Sequence, residues 1–448
     1  MRPMRAASLA AGALCIALSV TACAGAGGGS TSGAQDSINV LMVNNPQMED
    51  LQKLTADNFT KETGIKVNYT ILPENDVRAK ISQEFSSQAG QYDVASLSNY
   101  EIPFYAANKW LAPLDNVAKD AEFNQADILP AYTASLTGTD GKLYGEPFYG
   151  ESSFLMYRKD VFEAKGLTMP EKPTWDQVAE LAAKVDGAEA GMKGICLRGQ
   201  PGWGQLFAPL TTVVNTFGGT WFDKDWNAKV NAPEFTEATE FYTKLVREHG
   251  EAGAAQAGFT ECLNNMSQGK VAMWYDATSA AGVLEGEGSP AKGKLGYAQA
   301  PVKKTKSSGW LWTWSWGVQA ASKKQDAAGK FVAWASSKKY EELVAAKLGW
   351  AKVPSGKRIS TYENAEFQKA APFFEAERTA IENADPKNPG AQERPAVGIQ
   401  FVGIPEFADL GTSVSQGVSS AIAGQGSVAD ALAKGQDAAQ KIGDKYKK

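Results

Sequence analysis

Aromatic and charged side chains lie close together along this chain, at the ends of predicted strands and in the loops that follow. Twelve tryptophans and fourteen tyrosines are many for 448 residues. Residues 310–318 alternate strictly and include four of the tryptophans. Arg198 and Trp203 share one loop, and Asp276 ends an apolar strand. Since indole faces stack on C–H faces, and carboxylates and guanidinium groups each pair with two neighbouring hydroxyls, these residues predict a pocket for a polyhydroxylated molecule.

Each of these side chains also has an ordinary structural role that the sequence leaves open. Period-two alternation places the four indoles on one face of a strand. We expect one or two of them in the core, with Trp312 and Trp314 as the cleft residues. Glu151 could be a solvated surface group, and Asp276 could cap a helix beginning at Ala277.

The chain contains one histidine, His249, and its setting indicates a helix C-terminus followed by Gly250. Zinc sites, Ser-His-Asp hydrolysis and Cys-His chemistry all need a histidine beside other specific groups. Catalysis would therefore have to rest on carboxylates or be absent, and our prediction is no metal, no cofactor and no enzyme activity. The alternative hypothesis is an exported glycoside hydrolase that uses a carboxylate pair such as Glu151 with Asp276. A third hypothesis, an adhesive surface protein, predicts repeats or long Ser/Thr/Pro tracts that this sequence lacks.

The N-terminal residues have the layout of a bacterial lipoprotein export signal. A basic start and the short apolar run 9–20 precede Cys23, and a Gly/Ser-rich stretch follows it. We predict a signal peptide at 1–22 and a lipidated Cys23 with a flexible tether at 23–36. The alternative is a plain secretory signal with an incidental cysteine. Either signal predicts a protein that works outside the cytoplasm, and the lipid would hold it at the outer face of the cell membrane.

Composition limits the remaining possibilities. About 425 residues follow the predicted signal, more than one hydrophobic core usually supports, so we expect two domains. The net charge of −5, without a basic cluster, argues against nucleic acid as a partner. With Cys15 in the signal and Cys23 lipidated, Cys196 and Cys262 remain. They could form a disulfide in an oxidising compartment, or stay buried as free thiols.

The order of predicted elements favours an α/β fold. The predicted strands are 37–43, 65–71 and 91–97, and the helices between them are 48–62 and 76–88. Such alternation is typical of a doubly wound sheet with parallel strands, whose ligands lie beyond the carboxyl ends of the strands. Asn44 and Asn45 follow the first strand there, and Tyr100 and Glu101 follow the third.

A second series of elements begins near residue 150. It comprises strands at 152–157, 194–198, 270–275 and 310–318, a helix at 174–184 with Thr174 as its N-cap, and a C-terminal helix at 426–448.

The order of several motifs resembles the extracytoplasmic solute-binding proteins of carbohydrate ABC transporters, the group that includes maltodextrin-binding protein. Besides the lipobox, the motifs are GQYDV at 90–94, NKWLAPL at 108–114, YGEPFYGESSFLMYRKD at 144–160, GKVAM at 269–273 and WGV at 316–318. The chain is most similar to the mannitol/sorbitol (polyol) binding branch. That likeness rests on YGESSF at 149–154, CLRGQPGWG at 196–204, WLWTWS at 310–315 and QFVGIPE at 400–406.

The resemblance implies a periplasmic-binding-protein-like α/β fold, with two lobes, a hinge and a ligand cleft between the lobes. Lobe 1 would comprise 37–149 plus 317–352, and lobe 2 would comprise 150–309 plus 356–448. The chain would cross between them near 150, 310–316 and 349–355.

The resemblance also implies a function and a set of ligand-binding residues. The protein would be a monomeric receptor that captures a sugar alcohol (mannitol, sorbitol or arabitol type) or a small sugar and delivers it to the transmembrane subunits of an ABC permease. The implied ligand-binding residues are Asn44, Asn45, Tyr100, Glu101, Glu151, Arg198, Trp203, Trp221, Asp276, Trp312 and Trp314.

Overall fold

The computed structural model describes residues 37–447, so the predicted signal peptide, Cys23 and the whole tether lie outside the described residues. The strands are β1 Ser37–Val43, β2 Lys66–Leu72, β3 Val94–Ser98, β4 Leu111–Ala112, β5 Glu146–Glu151, β6 Ser153–Arg158, β7 Met273–Ala277, β8 Leu295–Gln299 and β9 Trp312–Gln319. The helices are α1 Pro46–Thr55, α2 Lys61–Thr63, α3 Glu74–Ser87, α4 Glu101–Ala107, α5 Asp115–Ala118, α6 Pro130–Ser135, α7 Lys159–Ala164, α8 Trp175–Val185, α9 Phe207–Phe217, α10 Pro233–His249, α11 Phe259–Ser267, α12 Ala280–Leu284, α13 Gln325–Ala335, α14 Lys338–Leu348, α15 Ile359–Tyr362, α16 Ala365–Ala370, α17 Phe374–Glu382, α18 Phe407–Ile422 and α19 Val428–Tyr446. Between residues 37 and 447, no helix is both long and apolar enough to cross a membrane.

The first sheet has the strand order β2-β1-β3-β9-β4, with β5 also paired to β9. Its first three strands run parallel, as the alternation of strands and helices predicts. The late strand β9 joins them antiparallel and pairs with β3, β4 and β5. We call this sheet and the helices that pack on it lobe 1.

The second sheet has the order β7-β6-β8 and is antiparallel throughout. We call it, with its covering helices, lobe 2. The strand predicted at 194–198 is wrong, because Cys196 makes only a single bridge, to Trp274. The segment therefore runs beside β7 as extended but irregular backbone. Helix α8 begins as predicted, with the Thr174 hydroxyl accepting the N–H of Gln177.

The chain crosses between the sheets directly after Glu151, since β5 belongs to one sheet and β6 to the other. Here the backbones of Gly150 and Gly356 are in direct contact. The Gly150 N–H donates to the Ser355 carbonyl at 3.1 Å. A Cβ on Gly356 would lie 1.9 Å from the Gly150 oxygen, and Gly356 has φ +83°. Only glycine fits both the approach and the left-handed backbone.

Arg358 lies beyond the predicted third crossing, and its partners lie in lobe 1. Arg358, assigned from the sequence to lobe 2, is fully buried and donates to Asp127 at 3.2 Å. It also bridges Ile128, which precedes α6 of lobe 1. Buried charge needs a partner, and the partner is in lobe 1.

The two cysteines of the described chain form a disulfide. Cys196 and Cys262 are bonded, with their Cα atoms 5.7 Å apart. The bond joins the segment that carries Arg198 to helix α11.

Candidate ligand-binding site

A narrow cavity lies where the two lobes and the crossing strands meet. It is lined from lobe 1 by Asn45, Glu74 and Arg78; from lobe 2 by Arg198, Gly204, Ala208, Phe259, Ala277, Ser279, Gln400 and Phe401; and from the crossings by Glu151, Trp310, Trp312 and Trp314. The lining therefore combines indole faces with charged side chains contributed from both sides.

A buried ion pair forms the lobe 2 side of the cavity. Arg198 donates from Nε and Nη2 to the two carboxylate oxygens of Asp276, at 2.7 and 2.5 Å. Asp276 also accepts from the Trp274 indole at 3.1 Å and from the Ala277 N–H at 2.7 Å. Burial alone would lower the pKa of Arg198, but the charge and hydrogen bonds of Asp276 outweigh it and raise that pKa. Asp276 therefore holds the permanently charged guanidinium group of Arg198 in the lining of the cavity.

A second guanidinium group faces the first from lobe 1. Arg78, on α3, lies 4.2 Å from the ring centre of Trp203, 4.7 Å from Trp314 and 5.2 Å from Trp312. It donates to Glu101 at 2.7 Å and to Glu74 at 2.8 Å. Cation–π contacts and two carboxylates hold this group against these three tryptophans, which we call the indole wall.

Glu151 stands at the first crossing with its carboxyl group buried. One carboxyl oxygen accepts the Ser279 hydroxyl at 2.5 Å. Burial raises its pKa to about 8, although the Ser279 hydrogen bond and the charge of Arg198 oppose the change. Near neutral pH the group is therefore mostly protonated, and it can donate one hydrogen bond as well as accept.

The two lobes make direct polar contacts around the cavity. Gln205 of lobe 2 donates to Glu74 at 3.0 Å, and Asn75 donates to the Pro201 carbonyl at 3.0 Å. The space left between the lining side chains is about 20 Å³, which holds about one water molecule. A six-carbon polyol can therefore enter only when the lobes separate.

Comparison with known proteins decides the family. Residues 44–342 match the family model of bacterial extracellular solute-binding proteins. This chain belongs to that family. The prediction drawn from its motifs is confirmed.

Two relatives match this solute-binding protein over nearly its whole length. It is 37% identical to the mannitol-binding protein of Pseudomonas aeruginosa, over 90% of this chain and 92% of the relative. It is 44% identical to an ABC transporter solute-binding protein of Agrobacterium vitis solved with bound D-mannitol, with a TM-score of 0.89 over 92% of this chain and 99% of that one.

Maltose-bound MalE3 of T. maritima shares the fold. Its TM-score is 0.77 at 21% identity, over 91% of this chain and 99% of that one. The α/β periplasmic-binding-protein fold predicted from the sequence is therefore confirmed.

Five predicted residues line the cavity of this solute-binding protein: Asn45, Glu151, Arg198, Trp312 and Trp314. The expectation that part of the tryptophan strand lies in the core also holds. Trp316 packs on Phe148 and Phe331, with ring centres 5.3 and 5.6 Å apart.

Four predicted residues support the lining from behind. Asp276 holds Arg198, Glu101 holds Arg78, and Trp203 lies against the Arg78 guanidinium. Tyr100 packs on Trp203, with ring centres 4.8 Å apart. Their role in this structure is to position the lining rather than to form it.

Two predicted residues lie elsewhere. Trp221 is buried inside lobe 2, with its ring centre 4.8 Å from Phe207 and 5.0 Å from Phe407. Asn44 extends the β1 ladder, where its N–H donates to the Leu72 carbonyl at 3.0 Å. A position after a strand or a turn does not decide whether a side chain faces the cleft or the core.

Sequence reasoning missed Arg78, Glu74, Phe259, Ser279, Gln400 and Phe401 as lining residues. Glu74 and Arg78 stand four apart at the start of a helix, a spacing usual for exposed ion pairs. Gln400 and Phe401 open the motif at 400–406, which indicated the family without indicating a role.

Proposed function

We propose that this solute-binding protein captures a linear hexitol, such as mannitol or sorbitol, outside the cytoplasm and delivers it to an ABC permease. One observation carries the proposal: two guanidinium forks, each fixed by carboxylates, stand on opposite lobes beside an indole wall. The mannitol named for two relatives supports the choice of ligand.

The lining suits an open-chain polyol. The C–H faces of such a chain would stack on Trp312 and Trp314, and vicinal hydroxyls would meet Arg78, Arg198 and Glu151. A site built to hydrogen-bond hydroxyls rejects analogues that lack them, because its own buried groups are then left unpaired. Closure of the lobes would complete these contacts, and the ligand would select the closed form.

The predicted anchor fits this role. Lipid on Cys23 would hold the receptor at the outer face of the bacterial cell membrane, beside the permease, and the tether would let a monomeric receptor reach it. Mass spectrometry of the protein from membranes tests this part: a diacyl group on Cys23 is expected, and a free N-terminus would contradict it.

Calorimetry on the processed chain, titrated with mannitol, sorbitol, arabitol, glucose and maltose, tests the ligand. We expect the tightest binding for a hexitol. Thermal unfolding should agree, since ligand at one hundred times its dissociation constant stabilises by about 2.7 kcal/mol. Stabilisation by maltose or glucose, with none by any alditol, would contradict the proposal.

Catalysis by Glu151 with Asp276 is the weaker hypothesis. A glycosidase needs a protonated acid and a second carboxylate free to act as nucleophile or base. Glu151 suits the first role, but both Asp276 oxygens already accept hydrogen bonds from Arg198 and from the neighbouring N–H groups. We therefore propose binding without turnover, and we expect no release of nitrophenol from aryl glycosides.

A further inference from the structure

A second, wider cavity adjoins the ligand-binding site, and we call it the outer groove. It lies between α4 and α6 of lobe 1 and the irregular segment 383–406. Its lining is mostly apolar and includes Tyr100, Pro103, Phe104, Ala131, Leu311 and Val397. Its volume of about 570 Å³ falls within the about 300–1,000 Å³ usual for small-molecule sites.

Phe401 stands between the two cavities. Phe401, Gln400 and Trp312 line both the ligand-binding site and the outer groove. The Phe401 ring is packed edge-on, with its centre 4.8 Å from Trp203 and 5.3 Å from Trp312. With Gln400 and Trp312, its side chain therefore separates the two cavities at this end of the site.

Contacts with both lobes fix the backbone around Phe401. The Asn215 amide of α9 donates to the Ile399 carbonyl at 2.9 Å and accepts from Arg394 at 2.6 Å. On the other side, the Tyr100 hydroxyl donates to the Ile404 carbonyl at 2.8 Å. The backbone that carries the ring therefore cannot shift without breaking buried hydrogen bonds.

We infer that Phe401 limits the length of the ligand, and that the outer groove is a dormant subsite for a pyranose ring attached to the polyol. The inference rests on the proposed function. A monomeric alditol would end against the Phe401 ring. With a smaller side chain the cavities would join, and a ring on the polyol would stack on Tyr100, Phe104 and Trp312, as sugars stack on aromatic faces.

The experiment compares sorbitol with isomaltitol, which is sorbitol carrying a glucose on its terminal O6, by calorimetry on the processed wild-type chain and on Phe401→Ala. We expect the wild type to prefer sorbitol, and Phe401→Ala to reduce that preference at least about tenfold. Val397→Ala is the matched control, because it enlarges the groove without joining the two cavities and removes none of the rings on which the sugar would stack, and it should leave the preference unchanged.

A second variant guards against loss of folding. Phe401→Leu keeps an apolar side chain among Trp203, Tyr100 and Phe407 but removes the ring, and it should shift the preference in the same direction. Equal wild-type affinity for both ligands, or an unchanged preference in both folded variants, would overturn the inference alone. Failure of the wild type to bind any alditol would overturn the proposed function and the inference with it.

Discussion

Among the single side chains, Asp276 and Arg198 show how burial assigns the roles of the site. Asp276 is fully buried, and its oxygens are occupied by protein donors. In the proposed function it would act on a ligand only through Arg198, whose remaining Nη1 group donates to the Gly204 carbonyl at 3.1 Å at the edge of the cavity. Residue type predicted this pair, whereas which member faces the ligand depends on packing that the sequence does not display.

Asp276→Ala should weaken polyol binding and also destabilise the fold. Removing one partner of a buried ion pair costs about 3–5 kcal/mol, because the other charge is left uncompensated. Urea unfolding and calorimetry measure the two effects. Asp176→Ala is the control: this carboxylate pairs with Lys303 while 59% exposed, so we expect a loss under about 1 kcal/mol. An unchanged unfolding free energy for Asp276→Ala would show that the ion pair with Arg198 does not contribute this stability.

Glu151 should make stability depend on pH. Its pKa is raised from 4.5 to about 8, so the folded state binds more protons than the unfolded state between these values. The stabilisation is fully present below about pH 4.5 and is lost as the pH rises through 8. Glu146 and Glu377, with pKa values raised by burial to about 8 and 7, act in the same direction.

The test is the free energy of unfolding at pH 5, 6, 7 and 8 for wild type and Glu151→Gln. The variant should show a shallower decline, by up to about 1.4 kcal/mol per pH unit. Exposed Glu122 provides the control, since Glu122→Gln should leave the slope unchanged. Parallel curves for wild type and Glu151→Gln would refute the assignment.

At the scale of elements, the sequence predicts regular structure well where local signals are strong. The Thr174 cap, the parallel strands of lobe 1 and the strand β9 are all present, although β9 begins at Trp312 and is buried on both faces. The sequence of segment 194–198 predicts a strand, but in the structure the segment makes only one β-bridge, between Cys196 and Trp274. Arg78 escaped prediction because the rings that it contacts, those of Trp203, Trp312 and Trp314, come from distant parts of the chain.

The disulfide couples two elements of the site, because Cys196 precedes Arg198 and Cys262 shares α11 with Phe259. The Arg198 guanidinium lies 5.2 Å from the Phe259 ring centre. Replacing both cysteines with alanine should lower stability by about 2–4 kcal/mol and weaken polyol binding. Reductant should bring the wild type to the same melting temperature while leaving the double variant unchanged. A wild type insensitive to complete reduction would contradict this coupling.

At the scale of the whole molecule, the glycine contact at the first crossing holds the segment before β6 against the segment near the predicted third crossing. Gly356→Ala would place a methyl group against the Gly150 carbonyl and would also strain a left-handed backbone. Gly64→Ala is a matched control, with φ +75° and open space around the added Cβ. We expect the control to cost about 1 kcal/mol and Gly356→Ala to cost clearly more, by urea unfolding. Equal losses would mean that the close approach imposes no constraint.

The family, the fold and the place of the cleft follow from motif order and from the alternation of strands and helices. The prediction that lobe 2 resumes at residue 356 did not anticipate the buried charge of Arg358, whose partner Asp127 lies in lobe 1. Such long-range pairings are fixed only when the whole chain is assembled.

The narrowness of the cleft has a consequence for transport. The gripping side chains come from both lobes and leave room for about one water, so a hexitol would bind while the lobes are apart, and their closure over it would stop short of the separation found here. The outline of a closed, filled receptor would then differ from that of an open one. A permease that contacts both lobes at once could respond to the distance between them. It would then distinguish a loaded receptor from an unloaded one without contacting the ligand.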